Sequence, residues 1–291
     1  MDYFRSLLFV PGNQPKMLKK AATFYPDVFV PDMEDSVADN DKDDAREIVA
    51  AHIELLSSEG VPVIPRLNSL ESGFFEKDLN AVISKRIYGI SVGKINSTKD
   101  IDQVEEILKA AERNAGLEVG KLNLIPWIET ANAIIDCHSI LTHSNRICAS
   151  AFGAEDFTND MGIERRADDK DISFAKNYMS IASRAAGVPA LDTPFFGFKD
   201  PDALRSNSML GKSIGYKGKF AIHPAQIDVI NESFTPGKNE IEHARRVIEV
   251  FEQAASQGRG STSLDGLVID VPVVKRAQSL IEMAERFKKG D

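Results

Sequence analysis

Short runs of apolar and β-branched residues alternate along the chain with longer segments in which apolar residues recur every three or four positions. Eight runs predict β-strands, at residues 6–10, 28–31, 63–66, 89–92, 122–128, 146–151, 189–191 and 219–222. Helical spacing is found at residues 42–56, 101–115, 172–186 and 201–210. Strands alternating with helices in this number predict an α/β fold, a (β/α)8 TIM barrel. A doubly wound open sheet is the competing arrangement, and periodicity alone does not separate the two.

The pattern changes after His223. Residues 240–257 and 271–287 each have apolar residues at helical spacing, and the second segment has Pro272 in its first turn, where proline is favoured. Residues 257–263 (QGRGSTS) between them indicate a flexible connector. We therefore predict a barrel over residues 1–235 and a C-terminal helical extension over residues 236–291 that serves as a lid and subunit contact.

Composition excludes several classes of protein. The chain has 43% hydrophobic and 27% charged residues, the ordinary balance of a soluble globular protein. Its formal net charge of −9 argues against general binding to nucleic acid or to an anionic membrane, since both are polyanions. Cys137 and Cys148 form no CxxC pair. No stretch approaches the length of a membrane span, and the first apolar run is too short for a signal peptide, so we expect a cytoplasmic protein.

Charged side chains cluster at the ends of the predicted strands. In a barrel these ends meet at one mouth, where catalytic residues lie. They are Glu34, Asp35, Arg66, Lys94, Glu129, Glu155, Asp156, Asp192 and His223. Carboxylates that share a pocket repel each other, and a hard divalent cation relieves that repulsion. Glu129 and Asp156 follow consecutive strands, so they are expected to be neighbours; a magnesium site and a structural ion-pair network both fit this pattern.

Eight motifs in order resemble those of a known family. They are RSLLFVPG (5–12), DMEDSV (32–37), RLN (66–68), GK (93–94), IET (128–130), FGAEDFTNDMG (152–162), GKFAIHPAQI (218–227) and LVIDVP (267–272). The chain resembles the citrate lyase β-subunit-like family, which includes malyl-CoA and citramalyl-CoA lyases. The resemblance implies a TIM barrel and a Mg²⁺-dependent carbon–carbon lyase. Such an enzyme splits a 3-hydroxyacyl-CoA into acetyl-CoA and a 2-oxo acid, or runs the reverse condensation.

The resemblance also implies roles for four residues. Glu129 and Asp156 would be the ligands of Mg²⁺, with Mn²⁺ as an alternative metal. Arg66 would face the thioester oxygen, although it could instead be a structural ion-pair partner. Asp270 would be the catalytic acid/base, a role that the residues alone do not indicate, because its place before Pro272 is also that of a helix cap.

Further residues are expected to bind the substrate. Glu34 and Asp35 would orient Arg66 and metal-bound water from outside the metal's ligand set. Coenzyme A needs cations for its phosphates, and Arg5, Lys16 and Lys20 belong to the densest basic cluster near the predicted mouth. An ordinary solvated helix face explains the same lysines equally well.

Three functions stay open at this point. The first is a stand-alone lyase for malyl-, citramalyl- or a related CoA ester, and the second is a citrate lyase β-subunit that acts on an acyl-carrier-protein thioester within a complex. The third is a non-catalytic scaffold subunit, which the intact charged residues at positions 66, 129, 156 and 270 argue against. The resemblance further implies a homo-oligomer, a trimer or hexamer, in which the lid of one subunit closes over its neighbour.

Overall fold

The computed structural model describes residues 3–288 and contains a closed parallel barrel. Its strands are β1 (Ser6–Pro11), β2 (Val28–Asp32), β3 (Arg66–Leu67), β4 (Gly89–Val92), β5 (Asn123–Ile128), β6 (Ser150–Phe152), β7 (Ala190–Asp192) and β8 (Gly218–Ala221). Each strand pairs with the next, and β8 pairs in parallel with β1. This closure excludes the open sheet and confirms the expected TIM barrel.

Apolar side chains fill the barrel because its parallel strands are covered on both faces. Trp127 lies at the centre of an aromatic group, with ring centroids 4.5 Å from Phe220 and 5.8 Å from Phe9. Below these rings the interior contains fully buried aliphatic residues such as Leu7 and Ile125. Because apolar side chains fill the interior, the charged side chains that could take part in a reaction lie at the ends of the strands.

β3 is shorter than the predicted run at residues 63–66. Val63 makes only an isolated bridge to Phe29, and the ladder proper begins at Arg66. Pro62 and Pro65 explain the difference, because proline has no N–H to donate to a neighbouring strand. The ladder therefore starts at the residue that also carries the charged side chain of this strand.

Helices surround the barrel. In the first part of the chain they are α1 (Pro15–Ala21), α2 (Lys42–Leu56), α3 (Phe75–Val82), α4 (Thr98–Asn114), α5 (Ala131–Ile135), α6 (Cys137–Thr142), α7 (Ala154–Asp160), α8 (Ser173–Ala186), α9 (Pro201–Ser213) and α10 (Ile227–Phe234). α4 begins three residues before the predicted start because Ser97 and Asp100 form a capping box. Across residues 3–288, none of the helices combines the length and the apolar character needed to cross a membrane.

A buried ion pair ties α4 to the N-terminal side of the barrel. Arg146 donates to the two carboxylate oxygens of Glu112 at 2.8 and 2.7 Å, and Glu112 also accepts the N–H groups of Gly120 and Leu122. Burial alone would raise the pKa of Glu112, but the charge and hydrogen bonds of Arg146 together with the two backbone N–H groups outweigh it, so the pKa of this carboxyl lies below its usual value. Because these contacts lie before β5 and β6, they support the fold and not the mouth.

The chain divides into two compact units, with the boundary after Ile230 inside α10. The second unit contains α11 (Lys238–Ser256), β9 (Thr262–Leu264), β10 (Leu267–Ile269) and α12 (Val271–Lys288). Apolar side chains from α11, β10 and α12 form its core, including Val247, Ile269 and Val274. Its roles as a lid and subunit contact stay predictions.

An antiparallel hairpin replaces part of the predicted flexible connector. β9 pairs with β10, and the turn between them places Asp265 and Gly266 at φ of 51° and 81°. Two successive residues with positive φ are characteristic of a tight hairpin turn, and Asp-Gly is a preferred pair there. The connector prediction for residues 257–263 is therefore wrong at its C-terminal end, and the Asp-Gly pair between apolar residues was the signal that could have shown it.

Candidate active site

Arg66 is held rigidly at the mouth of the barrel. Its Nε and Nη2 each donate to a carboxylate oxygen of Asp32 at 2.7 Å, and its Nη1 donates to Asp35 at 3.0 Å. The guanidinium lies 4.6 Å from the centre of the Phe9 ring and 5.7 Å from that of Trp127. Burial alone would raise the pKa of Asp32, but the adjacent guanidinium outweighs it and holds the pKa below its usual value. Arg66 is thus a fixed cation whose fork is already oriented.

Three further carboxyl groups meet close to this cation. Glu34 follows β2, Glu129 follows β5, and Asp156 lies in the first turn of α7 after β6. Burial, with added repulsion from Asp35, raises the pKa of Glu34 to about 7. Burial and the neighbouring Asp156 and Glu34 raise the pKa of Glu129 to about 8. Burial also raises the pKa of Asp156. The crowded carboxyl groups therefore favour an additional positive charge beside them.

Two glycines create the space that these carboxyl groups occupy. A Cβ atom on Gly153 would lie 2.1 Å from Oε2 of Glu129. A Cβ atom on Gly93 would lie 2.8 Å from both carboxylate oxygens of Glu34 and 3.1 Å from Oε1 of Glu129. No side chain fits at either position while the carboxyl groups keep their places. The two glycines are therefore part of the site geometry.

Lys94 contacts the acidic group through both its backbone and its side chain. Its backbone N–H donates to Oε1 of Glu129 at 2.5 Å, and its Nζ lies 3.5 Å from Oε1 of Glu34. Lys94 adopts a left-handed conformation with φ of 58°, which is uncommon for a residue other than glycine. Such strain persists where the surrounding structure holds it, and it is concentrated at functional sites.

A cavity of about 300 Å³ opens above this group. Its walls include Arg66, Glu129 and Asp156, with Phe9 and Trp127 at its base. Among residues 3–288 no cluster of three or more His, Cys, Asp or Glu side chains is arranged to hold a metal ion. Two carboxylates with waters and substrate oxygens are, however, a common magnesium environment. The donor chemistry and the raised pKa values fit Mg²⁺ held by Glu129 and Asp156.

Comparison with known proteins identifies the family. A family model described as HpcH/HpaI aldolase/citrate lyase matches residues 5–224. The citrate lyase subunit beta of Leuconostoc mesenteroides subsp. cremoris is 33% identical over 280 residues, which cover 96% of this chain and 93% of that protein. The chain belongs to the HpcH/HpaI aldolase/citrate lyase family. The mitochondrial citramalyl-CoA lyase of Homo sapiens is 30% identical over 295 residues, which cover 98% of this chain and 86% of that protein.

A solved structure shares the fold of this HpcH/HpaI family member. CitE from Mycobacterium tuberculosis, in complex with magnesium, acetoacetate and coenzyme A, matches it with a TM-score of 0.80 and 24% identity. The match covers 97% of this chain and 98% of that chain. At this level of identity the likeness shows a common fold. The family resemblance stated from the motifs is confirmed.

The structure separates the predicted phosphate-binding residues from one another. Arg5 precedes β1, at the opposite end of the barrel from Arg66, and its side chain donates to Asp27 at 2.9 and 2.8 Å. The prediction that Arg5 joins a basic cluster at the mouth is therefore corrected, because the length of β1 lies between them. Lys16 and Lys20 are exposed on α1, which follows β1 on the side of the mouth.

Asp270 belongs to the second unit. Its Oδ1 accepts the N–H of Val273 at 3.2 Å, so it caps the start of α12, as its position before Pro272 suggested. Its role as an acid/base stays a prediction. Sequence reasoning missed Asp32, the residue that fixes Arg66, although its place as the first acid of the DMED motif at a strand end was a usable signal.

Proposed function

We propose that this protein is a Mg²⁺-dependent carbon–carbon lyase that cleaves a 3-hydroxyacyl-CoA to acetyl-CoA and a 2-oxo acid, or catalyses the reverse condensation. One observation carries the proposal: a pre-oriented guanidinium and two carboxyl groups that favour a cation line the same cavity. Relatives named citramalyl-CoA lyase and citrate lyase subunit beta support this class of reaction. Malyl-CoA, citramalyl-CoA and similar esters are the candidate substrates.

Arg66 would stabilise the charge that develops in the reaction. When the hydroxyl proton is removed, the bond between C2 and C3 breaks and its electron pair moves onto the thioester as an enolate. The guanidinium is rigid before substrate binds, because Asp32 holds it by two hydrogen bonds and aromatic rings lie beneath it. A preorganised donor at a developing oxyanion contributes about 3–4 kcal/mol to transition-state stabilisation.

Glu129 and Asp156 would hold the metal and so position the 2-oxo acid. Bound Mg²⁺ supplies a Lewis acid that polarises the oxygen on C3. The backbone N–H of Lys94 fixes one carboxylate oxygen of Glu129, which leaves the other oxygen available as a ligand. Glu34 and Asp35 would keep Arg66 and the polar face of the substrate in place.

Asp270 would transfer the proton, and the second unit would exclude water as a lid. As a carboxylate Asp270 would accept the hydroxyl proton when the bond between C2 and C3 breaks, and as the acid it would then donate a proton to the methylene carbon of the enolate, which becomes the acetyl group. We place Asp270 in this role on the family pattern, together with a lid shared between the subunits of a trimer or hexamer. Lys16 and Lys20 would bind the CoA phosphates, and a cytoplasmic location fits this chemistry.

A citrate lyase β-subunit is the second candidate. This chain is 33% identical to such a subunit over nearly its whole length. The similarity therefore supports a citrate lyase β-subunit as strongly as it supports a CoA-ester lyase. The two functions differ in the thioester carrier, which is CoA in one and an acyl carrier protein in the other. The same charged residues would serve both, since the carrier lies outside the reacting bonds.

The test is a substrate panel. The purified protein is incubated with Mg²⁺ and malyl-CoA, citramalyl-CoA or citryl-CoA, and acetyl-CoA and the 2-oxo acid are measured as products. The same acyl groups on an acyl carrier protein form a second set, in which the acetyl product stays on the carrier protein and is measured there. We expect release of both products with at least one ester and a loss of release in EDTA. No release from any ester on either carrier, with Mg²⁺ or Mn²⁺ present, would refute the proposal.

A further inference from the structure

Asp160 links the two parts of the chain that carry the proposed metal ligands. Its Oδ2 accepts the backbone N–H of Ala131 at 2.7 Å. Ala131 is the first residue of α5, and Asp160 is the last residue of α7. The contact thus joins two ligand segments, which are residues 128–131 with Glu129 and residues 153–160 with Asp156.

A second connection joins the ligand segments at their other ends. The pairing of β5 with β6 reaches Ile128, whose carbonyl oxygen accepts the N–H of Gly153 at 3.3 Å. Glu129 and Asp156 therefore lie between two connections. One is the end of the strand ladder, and the other is the hydrogen bond of Asp160.

The ligand segment that Asp160 contacts is also fixed from its other side. Thr130 Oγ1 donates to Oδ1 of Asn96 at 2.6 Å, and Nδ2 of Asn132 donates to the backbone carbonyl oxygen of Asn96 at 2.8 Å. Ala131 lies between these two anchored residues. The hydrogen bond from Ala131 therefore sets the position of α7 against a fixed part of the chain.

The helix α7 connects this contact to a metal ligand. Asp156 and Asp160 are four residues apart on α7, so they lie on the same side of the helix and about 6 Å apart along its axis. A displacement of the end of this short helix therefore moves Asp156 relative to Glu129. Mg²⁺ binds oxygen ligands at about 2.0–2.1 Å in nearly ideal octahedral geometry, so it is sensitive to such a displacement.

We infer that Asp160 is a positioning residue, which holds the two ligand segments at the separation that Mg²⁺ requires. This role rests on the proposed function, in which Glu129 and Asp156 are the metal ligands. Asp160 acts through the backbone of α7 and touches neither the metal nor the substrate. A purely structural role would lower thermal stability and leave the affinity for the metal unchanged.

The hydrogen bond can be removed from either side. Asp160→Ala removes the acceptor, and Asp160→Asn is the conservative variant that keeps an acceptor oxygen. Ala131→Pro removes the donor. Proline is favoured at the first residue of a helix, and Thr130 already has the extended backbone of a residue before proline, with φ of −129° and ψ of 159°.

Asn159→Ala is the matched control, because Asn159 is the neighbour of Asp160 on α7 and is also exposed. The hydrogen bond between Asp160 and Ala131 lies at the surface, where water can replace either partner, so we expect every variant to fold. Thermal unfolding checks this. The Ala131→Pro variant keeps the test valid if Asp160→Ala does not fold.

Binding of Mg²⁺, and of Mn²⁺ as a second probe, is measured by calorimetry without any thioester, so the result does not depend on the lyase reaction. Residues that orient metal ligands typically contribute about 10- to 100-fold to metal affinity. Because Asp160 acts through the helix, we expect the Kd to rise about 10-fold in Asp160→Ala and in Ala131→Pro. The variant with both substitutions should bind no more weakly than either alone, since both remove one contact. Asp160→Asn should restore most of the affinity.

Folded Asp160→Ala and Ala131→Pro proteins that bind Mg²⁺ as tightly as the Asn159→Ala control would overturn the inference and leave the proposed function standing. If neither variant folds, the hydrogen bond supports the fold itself, which also overturns it. A wild-type protein that binds neither Mg²⁺ nor Mn²⁺ would overturn it together with the metal site. Failure of the proposed function is seen separately, as the absence of products from the wild-type protein in the substrate panel.

Discussion

Replacing Gly153 by alanine should remove most of the activity without unfolding the barrel. The added methyl carbon would lie 2.1 Å from Oε2 of Glu129 and 2.6 Å from its Cβ. The backbone of Gly153, at φ −98° and ψ 92°, is open to alanine, and the three atoms nearest to the added methyl carbon all belong to the Glu129 side chain. This substitution therefore displaces a metal ligand while it keeps the ligand's chemistry.

The magnitude follows from the distance. To reach an ordinary van der Waals separation of 3.4 Å, the Glu129 oxygen has to move by about 1.3 Å, and a misplacement of about 1 Å costs on the order of 100-fold in rate. Overpacking typically lowers the free energy of unfolding by about 1–3 kcal/mol, which a barrel of this size tolerates. We expect kcat to fall at least about 100-fold and Mg²⁺ affinity to fall with it.

The assay combines initial rates on the best ester of the panel, calorimetric titration with Mg²⁺, and thermal unfolding. Gly260→Ala is the control, because its new methyl group would meet no atom within 4 Å. A folded Gly153→Ala protein that binds Mg²⁺ and turns over like the control would show that the position of Glu129 does not matter to the reaction.

Four further outcomes follow from the same contacts. Glu129→Gln and Asp156→Asn should each lose Mg²⁺ binding and activity yet stay folded, because neutral amides relieve the repulsion that raises the pKa of Glu129; full turnover by both in EDTA would contradict this. Arg66→Lys keeps the charge but not the fork, so kcat should fall more than the affinity for the ester, and a change in KM alone would count against a role in the transition state. Glu112→Gln should lower the free energy of unfolding by about 3–5 kcal/mol in denaturant titrations, because it breaks a buried ion pair. Above the usual glutamate pKa of 4.5 the Arg146–Glu112 pair of the wild-type protein stabilises the fold, and this stabilisation is lost as the pH falls. If the free energy of unfolding decreases equally with acid in the wild-type and Glu112→Gln proteins, the pair does not have this role. Mixed oligomers of Asp270→Ala and Glu129→Gln should regain activity if the lid is shared, and no recovery despite proven subunit exchange would place both residues in one subunit.

The site could be predicted from the chain only in part. Residues at strand ends were identifiable because a barrel places every such position at one mouth, and this reasoning located Glu34, Arg66, Glu129 and Asp156 near one another. It did not distinguish the two ends of the first strand, so Arg5 was assigned to the mouth although it lies at the other end. The end of the barrel at which a residue lies depends on whether it precedes or follows its strand. A cluster of basic residues in the sequence does not by itself give this position.

The local pattern of the sequence determined the order of strands and helices, because burial of one helix face or of a parallel strand imposes a periodicity that neighbouring residues carry. Residues 42–56, predicted as a helix, are α2 within the same bounds. Only the tertiary structure decided which carboxyl group holds Arg66, because Asp32 and Arg66 are 34 positions apart and meet through the register of β2 on β3. The same is true of Gly153, whose missing side chain matters only because Glu129 projects into that space from the neighbouring strand. Contacts of this kind depend on how two strands lie beside each other in the barrel. They cannot be predicted from the residues of either strand alone.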